Sequence, residues 1–160
     1  LIKKLNTSNQ IKFKSKNFSR NLIDDLSLNI NLTFGRLAYL KKISILNNFF
    51  TCQGDLNLLE EYPILYFDCS FDLNNKKKFF KKFSIKQKNE NEKLKLNARG
   101  NINILNNKIQ FKNIVKDQDY EASDEDLKYY KKTFESVLFD KDFIGIFNIK
   151  KIKKFILKIL

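Results

Sequence analysis

The sequence predicts a mainly β protein with C-terminal helices: an antiparallel β-sheet with one apolar face, a short amphipathic helix between strands, and a helical tail. Three observations point there. Apolar residues recur at every second position in several stretches, the period of a half-buried strand. Gly, Asn and Pro fall between those stretches, where turns are needed. Beyond residue 123 the period becomes helical. At 160 residues, 42% of them hydrophobic, the chain supports one packed unit and not comfortably two. We expect a sheet region over 1–122 and a helical tail over 123–160 packed on it. The start at Leu1 rather than Met suggests a single unit cut from a longer chain.

Taken in order, Ile11 and Phe13 suggest a first short strand, and Leu28, Ile30, Leu32 and Phe34 alternate with Asn29, Asn31 and Thr33 in a second. Ile43 and Ile45 continue a strand after Gly35, Leu56 and Leu58 follow Gly54, and Leu65, Phe67, Cys69 and Phe71 share one face after Pro63. Cys52 and Cys69 suit either a reduced buried pair or a disulfide between neighbouring strands. Asn75 to Phe83 carries Phe79, Phe80 and Phe83 at helical spacing among lysines, and Gln87 to Lys93 reads as a solvent loop.

The clearest signal runs from Lys93 to Leu105. Leu94, Leu96, Ala98, Ile102 and Ile104 occupy even positions, with Gly100 marking a bend or bulge. Asn106-Asn107 then suits a tight turn, because Asn tolerates positive φ, and Lys108 to Ile114 returns through Ile109 and Phe111. Six or seven strands result. Ser123 can cap a helix whose first turn holds Asp124, Glu125 and Asp126, with Leu127, Tyr130, Phe134, Val137 and Leu138 as its buried stripe. In Ile149 to Leu160, Ile149, Ile152, Phe155, Ile156 and Ile159 share one face; Lys150, Lys151, Lys153, Lys154 and Lys158 take the other.

Composition excludes much chemistry. Without histidine there is no Ser-His-Asp or Cys-His arrangement and no His ligand for zinc or haem. Two cysteines cannot complete a four-thiolate site. The carboxylates Glu60-Glu61, Asp117 and Asp119, and Asp140 and Asp142 lack the spacing of a glycosidase pair or a calcium loop. No glycine-rich phosphate loop is present. We therefore expect a non-enzymatic protein with no catalytic residue, no metal and no cofactor.

The net charge of +13 needs discounting. Lys, Asn, Ile and Phe, all with AT-rich codons, make up 82 of the 160 residues, and arginine occurs only at 20, 36 and 99. Nucleic-acid binders lean on arginine for bidentate contacts. The basic runs Lys76–Lys82 and Lys150–Lys158 suit a solvated helix face, or contact with anionic head groups or RNA phosphate. No stretch reaches the roughly 18 apolar residues of a membrane span.

Several stretches together resemble the C-terminal part of AsmA-like proteins of the Gram-negative envelope. They are Gly54 to Pro63 with Leu65 to Cys69, Leu94 to Ile104, Asn107 to Phe111, and Tyr120 through Phe155, so the resemblance covers roughly residues 30 to 160. Its motifs are rhythmic rather than chemical. It implies the periplasmic domain of a protein held in the inner membrane by an N-terminal anchor that this sequence does not include. It also implies that the sheet region over 1–122 is part of a longer β-groove, a half-wrapped sheet whose hydrophobic groove serves outer-membrane assembly and phospholipid transport. The groove candidates are Leu28, Ile30, Leu32, Phe34, Leu94, Leu96, Ala98, Ile102, Ile104, Ile109 and Phe111, and the tail lysines are candidates for membrane or partner contact. The alternative is a basic RNA-binding protein of ribosomal type from an AT-rich genome, with lysines gathered over RNA and no apolar groove.

Overall fold

The computed structural model describes residues 2–14, 23–85, 93–117, 119–139 and 149–159. After a single 3-10 turn, Ile2–Lys4, come strands β1 (Asn6–Lys14), β2 (Asp25–Thr33), β3 (Arg36–Ile45), β4 (Asn48–Asn57) and β5 (Ile64–Leu73). Helix α1 (Lys76–Lys82) leads to β6 (Leu94–Asn103), β7 (Lys108–Lys116) and β8 (Tyr120–Glu121), followed by helices α2 (Asp124–Leu138) and α3 (Ile149–Ile159). The strands form one antiparallel sheet in the order β1 to β8, each beside its sequence neighbour. The sheet is open: β1 and β8 are its two edges. It is mainly β, antiparallel and helix-terminated, as the alternation predicts, with eight strands among the described residues rather than six or seven. The loop expected at Gln87 to Lys93 lies outside the described residues except for Lys93.

Two hairpins close through two-residue turns. Phe34 and Gly35 have φ of 49° and 88°, and Leu46 and Asn47 have φ of 52° and 61°. Positive φ at both central positions matches the right-handed twist of the flanking strands. Four expectations are corrected at the strand ends. The run through Phe34 ends at Thr33, and Phe34 sits in the turn, 61% exposed. Ile104 likewise leaves the strand for the β6–β7 turn, where Asn107 takes φ of 55°. Leu58 also falls in a turn, and Gly54 lies inside β4 instead of opening a strand.

The bulge expected near Gly100 is present as a register shift between Arg99 and Gly100 in the β6–β7 pairing. A Cβ at position 100 would collide with the Gln110 carbonyl oxygen and the Phe67 ring, so glycine permits this close approach. Phe67 and Phe111, the residues opposite Gly100 on either side, meet edge-to-face with centroids 6.0 Å apart.

The helices cover one part of the sheet. The Asn75 side chain accepts from Lys78 N at 2.8 Å to cap α1, whose Phe79 and Phe80 form a buried cluster with Leu73 and Ile85. Lys76, expected on a solvated face, is buried. Asn48, 1% exposed, ties this corner together: its amide donates to Ile45 O and Leu46 O, and its oxygen accepts from Asn74 N and Asn75 N. Helix α2 starts at the cap expected at Ser123, which Asp126 completes into a capping box. Near its other end Glu135 accepts from Ile109 N at 3.1 Å and Lys108 Nζ at 3.3 Å, which docks α2 on β7. Val137, Leu138 and Phe139 close a second cluster over Ile102 and Ile109. Phe155 of α3 reaches this cluster across Phe134, 5.4 Å between centroids.

Candidate functional site

The site is a face, and the registers define it. Residues directly opposite each other in paired strands point to the same side. Ile11 pairs Leu28, Leu32 pairs Leu37, Leu37 pairs Leu56, Leu56 pairs Leu65, Leu65 pairs Ile102 and Ile102 pairs Ile109. One row of apolar residues, from Leu32 to Ile109, therefore crosses the sheet from β2 to β7, and Ile11 and Leu28 lie on the same face in a neighbouring row. A second row runs from Phe13 through Leu26, Ile43, Phe50 and Phe71 to Leu96. Leu28, Ile30, Leu32, Leu94, Leu96, Ala98, Ile102, Ile109 and Phe111 all belong to this face. Phe34 and Ile104, in turns, do not sit on it as strand residues.

The opposite face is wet. Ser8 and Asn31, and Gln10 and Asn29, hydrogen-bond across β1 and β2 at 2.7 Å and 2.9 Å. Arg36–Asp55 and Arg99–Asp68 form ion pairs at 3.1 Å and 3.0 Å. Both arginines among the described residues are thus engaged with carboxylates on this face.

Coverage of the apolar face is uneven. The two buried clusters draw on β5, β6 and β7, with Ile45 of β3 at one margin. Neither includes a residue of β1, β2 or β4. Leu26, Leu28, Ile30 and Leu32 of β2 are half-buried, and Ile11 and Phe13 of β1 are 54% and 49% exposed. The face thus has a helix-covered half and a half over which no described helix supplies a cluster.

Two polar side chains stand in phase with the apolar ones. Tyr39 lies opposite Ile30 and Gly54, and Lys41 opposite Leu28 and Cys52. Both are half-buried, and burial pushes the Tyr39 hydroxyl pKa up and the Lys41 ammonium pKa down. The Tyr39 hydroxyl oxygen lies 3.7 Å from Cys52 Sγ. Cys52 itself faces Cys69 across β4 and β5, and the two form a disulfide on the apolar face. The signal for Lys41 was in the sequence: Leu37, Tyr39, Lys41, Ile43 and Ile45 keep one period-two phase.

The basic tail lies on the second layer. Tyr129 of α2 donates to the Lys158 carbonyl at 2.7 Å, tying α3 to α2. Lys150, Lys154 and Lys158 are exposed, and Lys151 and Lys153 half-buried. Among the described residues no group of three or more His, Cys, Asp or Glu could hold a metal ion, and no helix is long and apolar enough to cross a membrane. No family model matches the chain, and neither a curated protein nor a solved structure matches it.

Proposed function

We propose that this protein is a non-enzymatic lipid-handling module of the AsmA-like type, its apolar sheet face sheltering the acyl chains of phospholipid while head groups stay in water. The observation that carries this reading is the part of the apolar face over β1 and β2, to which neither buried cluster among the described residues extends. A contiguous apolar surface of this kind marks a binding site. A nine-residue strand such as β2 spans about 30 Å, against about 15 Å of hydrocarbon in one membrane leaflet. A chain laid along the strands therefore fits within the sheet. The Cys52–Cys69 disulfide supports an oxidising compartment such as the periplasm, and hence the envelope placement that the resemblance implies. The engagement of Arg36 and Arg99 with Asp55 and Asp68 speaks against RNA, since these arginines are turned to carboxylates.

The test is native mass spectrometry of the protein purified from membranes, with Ile30→Asp beside the wild type. Phospholipid adducts on the wild type, lost in a variant that keeps its far-UV circular dichroism, support the reading. Salt-sensitive RNA binding with no lipid adduct overturns it in favour of the nucleic-acid alternative.

A further inference from the structure

Strand β1 is exposed along its whole length, and among the described residues no strand lies on its outer side. One bond fixes the phase of its backbone. Phe34 N donates to Leu5 O at 3.0 Å, and Leu5 and Phe34 continue the register that pairs Asn6 with Thr33. In an antiparallel ladder, pairs that exchange hydrogen bonds alternate with pairs that do not. The odd-numbered residues of β1 therefore bond β2, and Asn6, Ser8, Gln10, Lys12 and Lys14 turn their N–H and C=O groups outward. Sheets commonly guard such an edge with proline, a bulge, a very short strand or a charge in the inward phase. β1 has none of these. Its nine residues keep unbroken register, and its apolar phase holds Thr7, Asn9, Ile11 and Phe13. Its only charges, Lys12 and Lys14, stand near one end on the wet face.

We propose that a second copy of this chain pairs with the β1 edge, β1 against β1, antiparallel about a two-fold axis at Gln10. The placement of the lysines selects this arrangement. A copy running parallel and in register, or an antiparallel copy slid toward the lysine end, brings Lys12 beside Lys12, and like charges directly opposite repel. Antiparallel pairing over all nine residues instead sets Lys12 opposite Ser8 and Lys14 opposite Asn6. The same register pairs outward-turned residues with outward-turned residues, so each finds both a donor and an acceptor. It also sets Thr7 opposite Phe13 and Asn9 opposite Ile11. The two-fold axis stands perpendicular to the sheet, so the apolar faces of both copies fall on one side and the parts over β1 and β2 become contiguous. The pairing itself needs no lipid. The interface is isologous, and it does not propagate, because β8 at the other edge offers only two residues.

The experiment is sedimentation equilibrium of the full chain without lipid, over a range of concentrations. The wild type is a dimer in exchange with its monomer. Ser8→Glu sets a carboxylate opposite Lys12 twice across the axis and tightens the dimer roughly tenfold, and Ser8→Lys loosens it by a similar factor. Lys12→Pro removes an outward N–H that β2 does not use and abolishes the dimer, whereas Lys12→Gln keeps it. A nuclear Overhauser effect between the Thr7 methyl and the Phe13 ring, about 20 Å apart along one strand, reports the register. A wild type that stays monomeric at every concentration overturns the proposal. So does a dimer with the same dissociation constant in Ser8→Glu and Ser8→Lys, or one without the Thr7–Phe13 contact. If Lys12→Pro does not fold, the Ser8 pair and that contact decide the matter.

Discussion

Substituting one isoleucine on each half of the apolar face separates the helix-covered core from the part that neither buried cluster includes. Ile109, 2% exposed, packs beneath Val137, Leu138 and Phe139, so Ile109→Ala removes three carbons from a closed cluster. Such a change loses transfer energy and leaves a cavity, for a cost of about 2–5 kcal/mol. Ile30 occupies the same face on β2 but is half-buried and belongs to neither buried cluster. Water refills the space, so Ile30→Ala carries only a partial transfer cost of about 1 kcal/mol. With a urea slope of about 2 kcal/mol per molar, the two midpoints separate by roughly 1 M. The assay is urea unfolding of lipid-free protein followed by circular dichroism, with the slope checked for constancy. Equal losses at the two positions refute the reasoning, because they mean that something seals the β2 half as tightly as α2 seals the β7 half. A saturating lipid ligand then raises the wild-type midpoint by linkage, and raises it less in Ile30→Ala.

Three further outcomes are expected. Asn48→Ala removes the acceptor for Asn74 N and Asn75 N in a buried corner, at a cost of about 2–4 kcal/mol; Asn48→Asp keeps that acceptor but sets a carboxylate oxygen against the Ile45 and Leu46 carbonyls, and costs at least as much in the same urea titration. Replacing Cys52 and Cys69 together by alanine opens a link across a separation of 17 residues, which lowers stability by about 3 kcal/mol, and a reductant lowers the wild type alike without touching the double variant. Hydrogen bonds from the Tyr120 hydroxyl and then from Ser123 hold the Asp126 carboxyl below the usual range, while the same bond to Asp126 pushes Tyr120 up to about 12. The capping contribution of Asp126 is therefore full above its unfolded-state pKa near 4 and lost as pH falls through its lower folded value. The Tyr120 contribution is full below about 10 and lost as pH rises through about 12. Helix content against pH, with Asp126→Asn as the comparison, reads the acid limb, which flattens in the variant.

Much of the sheet was legible because one face of each strand is apolar, and a period of two writes that directly into the sequence. Leu94 to Ile102 and Ile109 to Phe111 are the plain cases, and the capping residues Ser123 and Asp126 announce α2 equally well. Strand ends were harder to place. Phe34 keeps the phase of Leu28, Ile30 and Leu32, yet the chain turns there on a Phe-Gly pair that lacks the usual Asn or Asp signal. β1 offered only Ile11 and Phe13, because its other seven residues are polar on an exposed edge. Register is a long-range property, so the separation of Cys52 and Cys69 did not show that they stand directly opposite. Lys41 was passed over for a different reason: a charged residue in an apolar phase looks like an interruption until its neighbours across the strands are known.

The two margins of the sheet are not alike. At β7 the chain adds only the two-residue β8, and Glu135 of α2 takes up the Ile109 amide, so further pairing there is blocked. At β1 nine residues in unbroken register with β2 have no strand on their outer side among the described residues, and carry neither proline nor bulge. Such a ribbon can lengthen from one flank only. Each hairpin added there would extend the trough by about 10 Å without disturbing any existing pairing, so its span can be reset by simple duplication of a hairpin.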